Sequence, residues 1–385
     1  MSNSLGASPP SQKPIRVLLV EDSPIAIAIL KRILSSSPAI EVVGTARTGV
    51  EALTLIPRAK PDVVCTDLHM PQMGGLELTR HIMAEFPCPI LVISASVQKD
   101  DASKVFQLLE AGAVDVFPKP QSGLSEDYER TKHELINKIR VLSGVKVFTQ
   151  HRRSLGTVSP TLKPDTFKPG SFSSGDSASS SASLLSAPAS RRSLDIRSPR
   201  IIAIGASTGG PNALHTLFQA LPPTLPVPIL CVQHISEGFL QGLVDWLRRE
   251  CRLSIAIAQT GQTPQAGTVY FAPENQHLEL DGYGKLLCTA SPPVSGHCPS
   301  ATVLFKSVAA YYRRSVVAAL LTGMGRDGAD GLLTIAQAGG VTIAQDEASS
   351  VVFGMPKEAI ALGAAQYVLP IEKIGGQISS IFANV

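Results

Sequence analysis

The chain has 385 residues, 44% of them hydrophobic and 17% charged, with a net charge of +3. These values describe a globular protein of two or three domains, each able to bury a core. A charge so near balance and only 5% aromatics exclude a basic, base-stacking surface, so no nucleic-acid partner is expected. The opening MSNSLGASPPSQKP lacks the apolar core of a signal peptide, and no apolar run reaches the roughly 18 residues of a membrane span. The expected location is the cytoplasm, without membrane insertion. Cys65, Cys88, Cys231, Cys251, Cys288 and Cys298 form no C-x-x-C pair and lie mostly in apolar runs. Buried reduced thiols are expected of them, not metal ligands or disulfides.

Residues 14–142 alternate apolar strands at 16–20, 41–45, 62–66, 90–94 and 114–117 with helical patterns such as 24–35, 49–56 and 76–85. Five βα units of this length predict a small doubly wound parallel sheet, flavodoxin-like in class. Its polar residues fall just past the strand ends, where such folds keep their sites. Glu21 and Asp22 follow the first strand, Asp67 the third, Ser94 ends the fourth and Lys119 follows the fifth. Three crowded carboxylates repel one another unless a cation lies between them, and hard oxygen ligands suit Mg²⁺. A lysine beside them could neutralise a bound phosphoryl group.

Val-Leu-Leu-Val-Glu21-Asp22-Ser, Asp67-Leu-His-Met-Pro71 and Phe-Pro-Lys119-Pro120 resemble the response-regulator receiver domain over its whole length. The resemblance implies that a partner histidine kinase phosphorylates Asp67. It also implies that Glu21, Asp22, Asp67 and the backbone carbonyl of His69 hold Mg²⁺, and that Ser94 and Lys119 grip the phosphoryl group. Gly74-Gly75 and Val116 depart from the usual receiver pattern.

A helical pattern at 128–142 closes this segment, and 143–199 reads as a flexible serine-rich linker with arginines at 191, 192, 197 and 200. Residues 200–385 then form a second, larger α/β segment, Rossmann-like in class. Strands are predicted at 201–206, 228–233, 254–258, 268–272, 277–280, 285–290, 315–321, 341–345 and 366–369. Helices are predicted at 211–220, 238–250, 300–313, 330–338, 356–362 and 371–382. The strands flanking Asp281-Gly282-Tyr283-Gly284 predict an antiparallel hairpin inserted in the sheet.

The first of these strands ends in Gly205-Ala206-Ser207-Thr208-Gly209. This fits both the G-x-S-x-G turn that lifts a nucleophilic serine above a sheet and a glycine-rich phosphate loop. Strand 228–233 ends in His234, and strand 315–321 runs into a glycine-rich turn carrying Asp327. Three strands thus end on a serine, a histidine and an aspartate, as a Ser-His-Asp triad requires. A dinucleotide loop would need a different glycine spacing. Ser207, Asp281 and His297 would keep the chain order of α/β-hydrolases, but Asp281 belongs to a hairpin turn, so the set with His234 and Asp327 is preferred. His277 is expected at the surface, and His297 in a loop able to touch substrate.

Gly-Ala-Ser207-Thr-Gly-Gly-Pro, Val-Gln-His234-Ile-Ser-Glu-Gly-Phe, Thr-Gly-Met324-Gly-Arg-Asp327-Gly and Gln-Asp346-Glu-Ala-Ser-Ser resemble the catalytic domain of the chemotaxis methylesterases. Ser236 and Ala301-Thr302 depart from the usual pattern there. The resemblance implies a Ser207, His234 and Asp327 triad, with the backbone N–H groups of Met324 and Thr208 binding the oxyanion. It also implies hydrolysis of glutamate methyl esters and deamidation of glutamines on methyl-accepting chemoreceptors, under control of the receiver. The esterase chemistry would need no cofactor. A receiver-controlled serine hydrolase with another substrate and a non-enzymatic regulatory module are the alternatives.

Overall fold

The computed structural model describes residues 13–95, 99–120, 126–147 and 199–383. The N-terminal segment and the serine-rich stretch with its arginines at 191, 192 and 197 lie outside them. The first part runs β1 (Ile15–Val20), α1 (Pro24–Ser35), β2 (Ile40–Ala46), α2 (Gly49–Ala59), β3 (Val63–Thr66), α3 (Gly75–Glu85), β4 (Ile90–Ser94), α4 (Lys99–Glu110), β5 (Asp115–Pro118) and α5 (Glu126–Leu142). All its strand pairs are parallel, in the order β2-β1-β3-β4-β5. Helices on both faces bury the central strands completely, which is why those strands read as continuous apolar runs.

The second part runs β6 (Ile201–Ala206), α6 (Gly210–Ala220), β7 (Ile229–Gln233), α7 (Leu240–Glu250), β8 (Ser254–Ile257), β9 (Thr268–Phe271), β10 (His277–Leu280) and β11 (Leu286–Thr289). It continues with α8 (Ala301–Tyr312), β12 (Val316–Leu320), α9 (Ala329–Gln337), β13 (Val341–Gln345), α10 (Met355–Ala361), β14 (Tyr367–Leu369) and α11 (Ile371–Ala383). Seven strands make one sheet in the order β14-β13-β12-β6-β7-β9-β8, every pair parallel. From β6 the chain first builds outward through β7, then returns to β12 on the other side. The strand order therefore reverses between β6 and β12, and the crevice beyond their carboxyl ends is where such sheets bind ligands.

Both parts are α/β with parallel sheets, as the sequence predicts. The hairpin is present, but β10 and β11 pair with each other as a two-stranded sheet of their own, not within the main sheet. Its packing explains this: Leu278 and Leu286 are buried in the cluster that includes Leu304 and Phe305 of α8, and the Leu280 N–H donates to Ser307 Oγ at 2.8 Å.

Helix α4 of the first part packs on α6 and α7 of the second. Phe106 stacks on Trp246 with ring centroids 5.4 Å apart and planes 13° from parallel. Trp246 Nε1 donates to Glu110 Oε1 at 2.8 Å, and Asn212 Nδ2 donates to the Leu109 carbonyl at 3.0 Å. A single buried apolar cluster runs from Val105 and Leu109 through Trp246 to Leu243 and Leu247. Trp246 is the chain's only tryptophan, so its emission reports this contact. Phe106→Ala is expected to shift that emission to the red and to destabilise the fold by about 3–5 kcal/mol in urea denaturation, the usual range for a buried phenylalanine cut to alanine. An unchanged spectrum would contradict the contact.

Candidate functional sites on two sheet edges

Parallel pairing sets the geometry at the larger sheet. Ala206 is in register with Gln233 and Gly205 with Leu320, so the residues after β6, β7 and β12 emerge side by side. The Ser207 N–H donates to the Thr322 carbonyl at 3.0 Å, and the His234 N–H to the Ala206 carbonyl at 2.9 Å. The turn at the end of β6 then needs Gly209, whose φ of +76° is left-handed and whose missing Cβ leaves room for Val351. Gly323 lies against Ser207 Cβ, where any side chain would collide. Ser207 itself is 9% exposed.

Asp327 precedes α9 and is 1% exposed. Its Oδ1 accepts from Ser300 Oγ at 2.6 Å and from the Thr302 N–H at 3.1 Å, and its Oδ2 from the Ala301 N–H at 2.7 Å. The carboxylate thus caps the N-terminus of α8, where the helix dipole favours negative charge. Oδ2 is also 3.0 Å from His234 Nε2. Burial alone would raise the Asp327 pKa, but His234, Ser300 and Thr302 together hold the carboxyl well below the usual range. The His234 contact has ion-pair distance but lies off the line of the ring N–H; neither ring nitrogen makes an aligned hydrogen bond, although both are buried. With Nε2 turned to Asp327, Nδ1 is the nitrogen left to accept a proton.

The backbone N–H groups of Thr208 and Met324 have no acceptor among the described residues. Two free donors beside a serine at the mouth of a crevice are what an oxyanion requires. Met324 is 44% exposed, so its side chain borders solvent.

Several residues hold this arrangement without having stood out in the sequence. Gln233, 4% exposed, donates through Nε2 to both the Ser207 and His234 carbonyls at 2.8 Å. Thr322 Oγ1 donates to the Thr208 carbonyl at 3.0 Å, while its own N–H donates to Gln345 Oε1 at 2.8 Å. A polar residue ending an apolar strand is the signal that marks Gln233 and Gln345. His277 corrects an expectation: it is 1% exposed, not a surface residue. Its Nδ1 accepts from the Ser300 N–H at 3.1 Å and its Nε2 faces the Pro292 carbonyl at 3.1 Å, which assigns the proton to Nε2. It is buried because it fixes Ser300, which in turn holds Asp327. Asp281 accepts through Oδ1 from the Tyr283 and Lys285 N–H groups at 2.8 and 2.9 Å, so it serves the hairpin turn. His297 lies flat on His234.

At the smaller sheet, Glu21, Asp22 and Asp67 bring carboxylate oxygens within 4.8 Å of one another. Lys119 Nζ is 2.9 Å from Asp67 Oδ2 and 3.0 Å from Glu21 Oε1. It also lies 2.9 Å from Glu21 Oε2, a buried atom that no hydrogen bond meets in line. Burial, first, and Asp67, less strongly, raise the Glu21 pKa, with Lys119 opposing them. One ammonium among three carboxylates leaves excess negative charge in an all-oxygen donor set, which fits Mg²⁺. His69 is exposed in the loop after Asp67, and Ser94, at the end of β4, is buried. All six cysteines are free; Cys65, Cys231 and Cys251 are buried and the other three half-buried, and burial pushes the Cys65 thiol up to about 12.

A five-stranded sheet with an acidic strand-end cluster, followed by a seven-stranded sheet with a serine, a histidine and an aspartate along one edge, defines a class: a receiver-type module joined to a larger parallel α/β domain. Family comparison agrees, matching residues 17–125 to the response regulator receiver domain and 202–378 to the CheB methylesterase domain. The protein-glutamate methylesterase/protein-glutamine glutaminase of Nitrosospira multiformis is 40% identical over 370 residues, spanning 96% of this chain and 98% of its own. A protein of the same description from Syntrophus aciditrophicus is 39% identical over 375 residues, spanning 96% and 99%. The crystal structure of the Thermotoga maritima CheB methylesterase catalytic domain shares 36% identity, covering 49% of this chain and 100% of that one with a TM-score of 0.46. The chain belongs to the protein-glutamate methylesterase/protein-glutamine glutaminase family.

The Asp327 interactions carry a pH signature. A carboxyl whose pKa falls on folding adds stability that is complete above its unfolded value and fades as pH drops toward the folded one. The wild type should therefore melt above Asp327→Asn at neutral pH. Melting curves should converge as pH falls below about 4, the ordinary aspartate value. A gap that did not narrow would contradict the assignment.

Proposed function

We propose that this chain hydrolyses glutamate γ-methyl esters on methyl-accepting chemoreceptors, and deamidates specific receptor glutamines, in the cytoplasm under control of receiver phosphorylation. Support for the chemistry is the meeting of Ser207, His234 and Asp327 at neighbouring strand ends beside two free backbone N–H groups. In this reading His234 Nδ1 takes the Ser207 proton as Oγ attacks the ester carbonyl. Asp327 orients the ring through Nε2 and stabilises the imidazolium. The Thr208 and Met324 N–H groups bind the oxyanion, an effect worth about 3–4 kcal/mol where one such donor has been removed. The imidazolium returns its proton to the departing methoxide, and methanol leaves. Water then gives a proton to His234 and attacks the acyl-enzyme, and the imidazolium passes that proton to the departing Ser207 Oγ, which frees the serine and leaves a glutamate side chain on the receptor. For a glutamine the leaving group is ammonia.

Control rests on Asp67 as the phosphoryl acceptor from a histidine kinase. Glu21, Asp22, Asp67 and the His69 carbonyl would hold Mg²⁺, which neutralises charge on the incoming phosphoryl group. In this reading Ser94 and Lys119 bind that group once it is on Asp67. Ser94 ends β4, the strand before α4, and α4 bears on α6 and α7. Val351, which lies against Gly209, also packs against the receiver's core. A rearrangement at the phosphorylation site therefore has a short path to the serine turn.

Methanol release from methylated receptor tests both levels. Ser207→Ala should abolish it while the melting temperature stays near wild type; retained release would remove Ser207 from the chemistry. Asp67→Asn should keep basal release but lose its stimulation by a small-molecule phosphodonor, and stimulation of that variant would move the acceptor elsewhere.

A further inference from the structure

His297 comes from no strand end, yet its ring lies flat on His234, with centroids 4.0 Å apart and planes 4° from parallel. The local backbone is built to deliver it there. The Val294 and His297 N–H groups each donate to the other residue's carbonyl at 3.0 Å, closing a two-residue turn. Both turn residues are left-handed, Ser295 with φ 53° and Gly296 with φ 81°. That pair of dihedrals belongs to a mirror-image turn, which is tight and leaves the closing residue little freedom of direction.

We propose that His297 is a positioning residue for the ester hydrolysis: its ring holds the plane of the His234 imidazole and stabilises the imidazolium formed when Ser207 is deprotonated. The inference rests on His234 as the base.

Two observations carry it. First, the Asp327 contact does not fix the plane of the His234 ring. The Asp327 contact is short but off the N–H line, and Nδ1 has no partner among the described residues. A histidine held only through its edge can still tilt about that contact. A flat aromatic surface against its face removes the tilt and holds Nδ1 in one direction. Small misplacements matter here, because about 1 Å at a reacting group costs on the order of a hundredfold in rate. Second, the charge state suits the task. Burial, and then the neighbouring His234, lower the His297 pKa to about 4, with Asp327 opposing them, so the ring is neutral at neutral pH. A neutral aromatic face attracts a cation laid against it, whereas a protonated one would repel it.

The test uses the full chain with a phosphodonor present, comparing His297→Ala, His297→Leu and His297→Phe. A serine-directed fluorophosphonate measures nucleophile reactivity, and methanol release gives kcat and KM. Alanine and leucine should each slow both the labelling of Ser207 and kcat by about 10- to 100-fold, with KM within about twofold. Phenylalanine, which keeps the flat face and has no proton to give, should recover both rates to within about threefold of wild type. Thermal melts of all three report folding, and the phenylalanine–leucine pair separates ring stacking from bulk. Wild-type rates in the alanine variant, recovery by leucine as complete as by phenylalanine, or failure of phenylalanine to recover would each overturn the inference. If the wild type is labelled at Ser207 and His234→Ala is labelled equally fast, the base itself is wrong and the inference falls with it.

Discussion

Everything at the larger site depends on one set of main-chain contacts, the flanking of β6 by β7 on one side and β12 on the other. Because the pairing is parallel and in register, the chain leaves all three strands at the same height. Ser207 donates its N–H to Thr322, the second residue past β12, and His234, the residue after β7, donates its N–H back to β6. Serine and histidine are brought side by side with no loop between strand and residue, and the loop after β12 starts from the same edge. Gln233 and Thr322 then add side-chain bonds across the same junctions, so the turn is fixed by buried polar groups that would be left unsatisfied if it moved.

The acidic partner is secured by a different element. Asp327 arrives from β12 but is held by the start of α8, through Ser300, Ala301 and Thr302, and His277 of the hairpin fixes Ser300 from behind. The hairpin therefore contributes to the site although it lies outside the main sheet. The receiver meets the esterase domain through α4. Its apolar residues pack on Trp246 and the esterase helices, so α4 is part of one buried cluster with that domain.

Much of this was legible in the sequence, because a parallel sheet covered on both faces makes apolar runs that stop abruptly at functional residues. The strand read at 201–206 is β6 residue for residue, and Ser207, His234, Glu21, Asp67 and Lys119 all stand just past strands, with Asp327 in the loop that leads from β12 to α9. What failed to show depends on contacts distant in sequence. His277 opens a short strand and looks like a surface histidine until the start of α8, over twenty residues later, closes over it. The hairpin's separation from the main sheet reflects its packing on α8, which its own pattern does not encode. Helix α4 begins Lys-Asp-Asp-Ala-Ser-Lys, and only its second half is apolar, answered by a helix of the other domain. The stack of His297 on His234 is a meeting of two loops with no shared periodicity.

The reversal of strand order between β6 and β12 has a consequence for how the protein is made. β6 emerges early, yet the neighbour on its other side is more than a hundred residues downstream. Domains near the N-terminus fold first during synthesis, and pairings distant in sequence come last. The receiver is therefore complete before the central strand of the esterase gains its second neighbour, and the aspartate that finishes the site arrives only with that neighbour. A ribosome-bound chain carries its regulator before it carries an esterase, so the enzyme emerges into the cell with its control already folded.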